Sequence, residues 1–340
     1  MNEGLESMVR SGFRPANLPP KEQREVERHQ AHVEAVLAAA GPMSASSIAR
    51  EAERRALDAL WRTELVTAPT LVLTDQMKRL WAEYGLPSAF VRAVVWPLAA
   101  SDGKAQDESA DSPEQSGREV QRLIRLDVQR TLPFLGITNE PSKTAKCESV
   151  LEKFCGHSDY VQGMSYVAVR LMVELGFDES KTLVCLDRLV RRSPTIACLY
   201  RLDLAEIENS VEFVLDAVAW ANVPDLWLFL KKLQFQSIQW FFLEWALTIF
   251  VKSFSMKISA FVIDMTLLSG DTAVYAAAVA VLVLLKEQLL VERDPEAVRA
   301  ILARAGDVVD SEAFVKTFHE VVIPPAVSRI LASGCLFIHS

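Results

Sequence analysis

Val120 to Pro133 reads VQRLIRLDVQRTLP, and its spacing decides the fold class. Val120, Leu123, Ile124 and Val128 recur every three or four residues, the repeat of a helix with one apolar face. Asp127 continues that stripe, where a carboxylate is costly unless a donor reaches it. Arg130, three residues on, is the natural donor. Pro133 stops the helix just beyond, so Arg130 is expected in its last turn, where the chain emerges toward a surface. Taken alone, Asp127 and Arg130 read as an ordinary intrahelical ion pair worth roughly a few tenths of a kcal/mol.

The same helical spacing runs from Arg118 almost to the end of the chain, with little strict alternation and no Gly-rich phosphate loop. The architecture expected is all-α, an irregular bundle of many helices. Pro224-Asp225 opens one helix, DLWLFLKKL, and Ser237 precedes another, IQWFFLEWALTIFVKSF. Ala273 to Leu285, AVYAAAVAVLVLL, is uncharged but shorter than the ~20 residues of a membrane span, so it reads as a helix buried on all sides. Tyr160-Val161-Gln162-Gly163-Met164 follows polar residues that include His157 and precedes SYVAVRLMVELG, which puts Gln162 where a loop enters a helix. Its amide can donate and accept, which suits positioning a water molecule, and it suits equally well the satisfaction of open amides at a helix start.

Toward the N-terminus, residues 1–70 read as a polar, helix-prone extension, punctuated by Pro15, Pro19, Pro20 and Gly41-Pro42, with Ser44 offered as an N-cap. The opening lacks the apolar core of a secretory signal, and a cytosolic protein is expected. Residues 100–117 turn abruptly polar and acidic, the composition of a disordered surface loop. A formal charge of -8 and a pI near 5.3 argue against nucleic acid as a partner. Cys147, Cys155, Cys185, Cys198 and Cys335 form no CxxC pair, and His29, His32, His157, His319 and His339 fall in no metal spacing, so no metal site and a reducing compartment are expected. No coherent set of nucleophile, base and oxyanion groups points to an enzyme with its own substrate pocket.

Three further stretches bracket the two candidate segments: GLPSAFVRAVVW from Gly85 to Trp96, LEWALTIF from Leu243 to Phe250, and FVIDMTLLSG from Phe261 to Gly270. In this order, and together with Ile124-x-x-Asp127-x-x-Arg130 and Tyr160-x-Gln162-Gly163, they closely resemble the TBC-domain family of Rab GTPase-activating proteins. The resemblance covers roughly Gly85 to just beyond Leu290 and places the domain at 71–325, with 326–340 as a C-terminal tail. It implies that Arg130 is an arginine finger, Gln162 a glutamine finger, and Asp127, Tyr160 and Gly163 their supports. Gly85, Pro87, Arg92, Trp96, Trp245 and Asp264 fall on the family's scaffold positions. Two positions depart from the family pattern: Ala93 stands where glycine is usual, and Ile263 stands before Asp264 where tryptophan is usual.

The function this resemblance implies is that of a regulator rather than an enzyme: both fingers enter the nucleotide site of a GTP-bound Rab and accelerate hydrolysis, within vesicle trafficking. GTP and Mg²⁺ then belong to the partner, no cofactor is held here, and the chain is cytoplasmic with peripheral recruitment to endomembranes through the Rab. The alternative is a catalytically silent scaffold that binds the Rab without lowering the barrier.

Overall fold

The computed structural model describes residues 45–67, 73–101, 117–156, 160–201, 210–234 and 241–333. Ser44, most of the acidic 100–117 stretch, His157, Ser237 and the end of the chain from 334 lie outside them. Residues 58–340 form one compact unit and residues up to Leu57 a unit of their own.

Among the described residues every regular element is a helix, as the apolar spacing predicts. In chain order they are α1 (Ala45–Thr67), α2 (Asp75–Tyr84), α3 (Ala89–Ala100), α4 (Arg118–Phe134), α5 (Pro141–Phe154), α6 (Met164–Glu174), α7 (Glu179–Arg192), α8 (Pro194–Arg201) and α9 (Glu212–Asn222). There follow α10 (Pro224–Lys232), α11 (Leu243–Leu247), α12 (Met256–Ser269), α13 (Asp271–Leu290), α14 (Pro295–Ala303), α15 (Ala305–Val308), α16 (Ser311–Glu320) and α17 (Pro325–Ser333). Short polar side chains start them: Thr74, Ser88, Asp178 and Ser255 each accept a hydrogen bond from the backbone N–H three residues on. Proline opens α5, α10 and α14, where its missing N–H costs nothing.

Helix α13 lies at the centre of the C-terminal half, packed by α9, α10, α12 and α16. Contact on every side explains why its sequence has no polar stripe. By length and composition it is the one described helix that is apolar enough to cross a membrane, yet 67% of that apolar window is buried inside the fold. The stretch at 326–340, expected as a tail, contains α17, whose Val327 and Leu331 are buried where it meets α9 and α13.

The scaffold positions converge on one carboxylate. Asp264 of α12 is fully buried and accepts from the Leu86 N–H (3.1 Å), the Trp96 indole N–H (2.8 Å) and the Arg92 guanidinium (3.0 Å from Nη2). Arg92 also donates to the Leu86 carbonyl and faces Glu174, which pairs in turn with Arg170. Gly85 has a φ of +70°, and a Cβ there would stand 2.9 Å from the Phe261 ring, so this link to α3 must be glycine. Half-buried Pro87 continues the same link. Trp245 is buried against Phe241, Phe250 and Phe254, with ring centroids 4.8, 5.8 and 5.1 Å away.

One predicted helix is broken. The run after Ser237 reads as continuous through Phe254, but α11 ends at Leu247, and Ile249 and Phe250 take φ values of 45° and 62°. The reversal folds Phe250 and Phe254 back onto Trp245, and burial of these rings outweighs the cost of two left-handed residues, about 1–3 kcal/mol each.

A second buried carboxylate, Asp271 at the start of α13, accepts from the Ser193 hydroxyl and from the N–H and hydroxyl of Thr195. Among the described residues no cation faces it, and burial pushes its pKa up to about 6 although these hydrogen bonds oppose the shift. An acid whose folded pKa lies above its unfolded value stabilises the fold fully below the unfolded value. That contribution is lost as pH rises through the folded one. Relative to Asp271→Asn, the wild-type chain is therefore expected to lose on the order of 2–3 kcal/mol between about pH 4 and pH 6.5. Urea titrations of both proteins across that range check this. Parallel stability curves would rule it out.

Candidate functional site

The N-terminal half of the main unit places the two candidate fingers on adjoining elements. Helix α4 turns Ile124, Val128, Thr131 and Leu132 into the core and leaves Arg130 exposed near its C-terminal end. Pro133 sits inside the last turn rather than beyond it, and the helix closes at Phe134. Gln162 is exposed in the turn before α6, whose N-cap is Gly163.

Three contacts lock α4 to this turn and to α6. The Tyr160 hydroxyl donates to Asp127 Oδ2 at 2.9 Å, the Thr131 and Ser165 hydroxyls meet at 2.9 Å in the core, and Phe134 stands edge-on to Tyr166 with centroids 5.3 Å apart. Asp127, Thr131 and Phe134 are spaced four and three residues apart, so they form one ridge of α4. The sequence reading therefore needs one correction. Asp127 is satisfied by Tyr160, not by Arg130, and no ion pair joins Asp127 to Arg130 among the described residues. Tyr160 lies part-way into the interior and turns its hydroxyl onto the half-buried Asp127, whereas Arg130 is exposed on the next ridge. Burial, aided by the Asp127 charge, raises the Tyr160 pKa, so the phenol stays protonated and keeps donating.

The Arg130 and Gln162 side chains have no hydrogen-bond or ion-pair partner among the described residues. Their backbones are held firmly all the same. Gly163 has a φ of +121°, and a Cβ there would lie 3.0 Å from Leu247 Cδ2, so the Gln162 turn rests directly on the end of α11. The Met164 N–H bonds the Val161 carbonyl at 3.1 Å and closes the turn. On α4, Pro133 offers no N–H to the Gln129 carbonyl, and the Asn139 side-chain amide donates to it instead at 3.1 Å. Around Arg130, Leu123, Leu126 and Phe134 share the exposed face of the helix at 43%, 38% and 55% exposure, an apolar row interrupted by one cation. Among the described residues no group of His, Cys, Asp and Glu is arranged to hold a metal ion.

The arrangement offers a guanidinium and a carboxamide, both open to solvent, projecting from elements bolted to each other. Residues 89–290 match the family model of the Rab-GTPase-TBC domain. The chain belongs to that family.

TBC1 domain family member 12 from Xenopus tropicalis is 24% identical over 358 residues, covering 88% of this chain and 49% of its own length. TBC1 domain family member 14 from Bos taurus is 24% identical over 344 residues, again covering 88% of this chain and 49% of its own length. The chain thus spans about half the length of these curated relatives. Among solved structures, the Chlamydomonas flagellar RabGAP TBC domain superposes with a TM-score of 0.62 at 18% identity, covering 81% of this chain and 96% of that one. The Ypt/Rab-GAP domain of Gyp1p gives 0.60 at 16% identity, covering 79% and 97%. These likenesses establish a shared all-helical TBC fold.

Within this TBC domain the two departures are absorbed locally. Ala93 is half-buried on α3, and Ile263 is completely buried on α12. Neither removes a donor from Asp264. The sequence reading missed Asn139, Thr131, Ser165 and the Phe134–Tyr166 contact. Of these only Asn139 left a local signal, an amide six residues after a proline that strips a helical carbonyl of its donor.

Proposed function

We propose that this chain accelerates GTP hydrolysis by a Rab-type small GTPase in its GTP-bound state. Arg130 enters the partner's nucleotide site and Gln162 orients the attacking water. The observation that carries this reading is the pairing of two exposed side chains without partners on backbones that are tied together through Asp127 and Tyr160.

Phosphoryl transfer to water demands charge stabilisation on the transferring group and an aligned nucleophile, not new covalent chemistry. An arginine free of any carboxylate delivers its whole charge to the phosphates, and its planar fork can bridge two oxygens. A glutamine amide accepts from water while donating to a phosphate oxygen. GTP and Mg²⁺ belong to the GTPase in this scheme, and the chain supplies no cofactor. It acts as a regulator in vesicle trafficking, working in the cytoplasm and reaching endomembranes through the Rab it binds.

The apolar row on α4 supports a protein partner, since apolar side chains around a charged anchor are the anatomy of an interaction surface. Phe134→Ala is expected to raise the KM for the GTPase about tenfold, corresponding to ~1.4 kcal/mol, with little change in kcat. Steady-state kinetics against GTPase concentration separates the two parameters, and an unchanged KM would remove Phe134 from the interface. The reading as a whole is tested by single-turnover hydrolysis across a panel of GTP-loaded Rabs. Acceleration of at least one is expected. Tight binding of a GTP-loaded Rab at the unassisted rate would establish a silent scaffold instead.

A further inference from the structure

Helix α4 carries its arginine one turn from a proline, and that proximity has a structural cost. In an intact helix the Gln129 carbonyl accepts from the N–H of the residue four positions on. That residue is Pro133, which has none, and the ring also crowds this carbonyl. The carbonyl left open belongs to the peptide that joins Gln129 to Arg130, so the defect falls on the plane from which the Arg130 side chain springs.

We infer that Asn139 is a positioning residue for Arg130: its side-chain amide substitutes for the missing helical donor and fixes the Gln129–Arg130 peptide. The Asn139 Nδ2 lies 3.1 Å from the Gln129 oxygen. The loop that brings it there is itself tightly closed. Leu135 N–H bonds the Thr131 carbonyl at 3.0 Å, Gly136 N–H the Pro133 carbonyl at 3.0 Å and Ile137 N–H the Leu132 carbonyl at 2.9 Å, with Gly136 at a φ of +73°. Asn139 is thereby presented at the helix end by a fixed turn, without spending the entropy of a free loop. Water can solvate the same carbonyl but cannot hold it in one direction. An arginine that must reach a partner's phosphates from an exposed stem gains from a fixed base, because small errors in placement are costly in rate.

This inference rests on the reading of Arg130 as the arginine supplied to the GTPase, and Pro133 provides the control. Pro133→Ala restores an N–H to the Gln129 carbonyl, after which Asn139 has nothing left to replace. Asn139→Ala is expected to lower the stimulated kcat about five- to tenfold, with the KM for the GTPase within about twofold. The same substitution in a Pro133→Ala background is expected to have no further effect on kcat, a non-additivity that a purely stabilising side chain would not produce.

A second readout does not depend on activity. With carbonyl-¹³C glutamine and ¹⁵N arginine, only Gln-Arg peptides give a signal, here Gln23-Arg24, Gln121-Arg122 and Gln129-Arg130. Asn139→Ala is expected to shift the Gln129-Arg130 peak alone, and to leave it in place when Pro133 is already alanine. An unmoved peak in the wild-type background, or an equal shift in both, overturns the inference. If the peak moves as expected while no Rab is stimulated, the hydrogen bond stands, and the functional reading of Arg130 is what fails.

Discussion

Arg130→Ala is expected to reduce the stimulated rate of GTP hydrolysis by about 10³ to 10⁵, the range an arginine supplied in trans contributes to this reaction. In the proposed mechanism Arg130 meets the charge that builds between the phosphates as the bond breaks, so its effect is confined to the transition state. Arg130→Lys is expected to recover only a small part, since a single ammonium cannot bridge two oxygens as the guanidinium fork does. Gln162→Ala is expected to cost about 10² to 10³, comparable with the loss of one well-placed donor at a developing charge. Neither substitution should alter folding stability by more than about 0.5 kcal/mol, because both side chains are exposed and neither has a partner among the described residues. Single-turnover hydrolysis and urea unfolding on the same preparations check both halves. A lost rate accompanied by a lost fold would assign these residues to the scaffold.

The second large effect lies in the core. Asp264→Ala leaves the Arg92 guanidinium, the Trp96 indole N–H and the Leu86 N–H without their common acceptor in a site from which water is excluded. Removing one member of a buried ion pair costs about 3–5 kcal/mol, mostly as the penalty of the charge left behind. That is a large share of the ~5–15 kcal/mol that holds a typical domain together. Asp264→Asn keeps an acceptor and the shape but not the charge, and is expected to cost less than Asp264→Ala. The denaturant midpoint reads the difference. A loss below about 1 kcal/mol for the alanine variant would mean that Arg92 finds Glu174 instead, which stands 3.9 Å away in the wild-type fold.

Much of the fold was legible because helices declare themselves locally. The apolar repeat in α4 and the Pro224-Asp225 start of α10 act within one or two turns, and the structure follows them. What was not legible depends on partners far along the chain. Asp127 was assigned to Arg130 because spacing shows only neighbours, whereas its donor, Tyr160, lies 33 residues away. The carboxylate of Asp264 gathers donors 168 to 178 residues distant, and only the order of motifs shared with the TBC family hinted that Gly85, Arg92, Trp96 and Asp264 belong together. The break after Leu247 was invisible for another reason. TIFVKSF has helical composition, and its reversal is driven by aromatic burial on Trp245 rather than by any turn residue. For the candidate site, the exposure of Arg130 and Gln162 followed from the position of each at an element's end. The tie between their backbones did not.

The central claim is that the water-aligning amide comes from this chain, in concert with its arginine. It is tested most directly with a stimulated Rab whose own catalytic glutamine has been replaced, by measuring its single-turnover hydrolysis with the wild-type chain and with Gln162→Ala. The account predicts that the altered Rab is still accelerated by the wild-type chain and that Gln162→Ala lowers this acceleration by about 10² to 10³ or more. Loss of acceleration with the wild-type chain, or acceleration undiminished by Gln162→Ala, would contradict it.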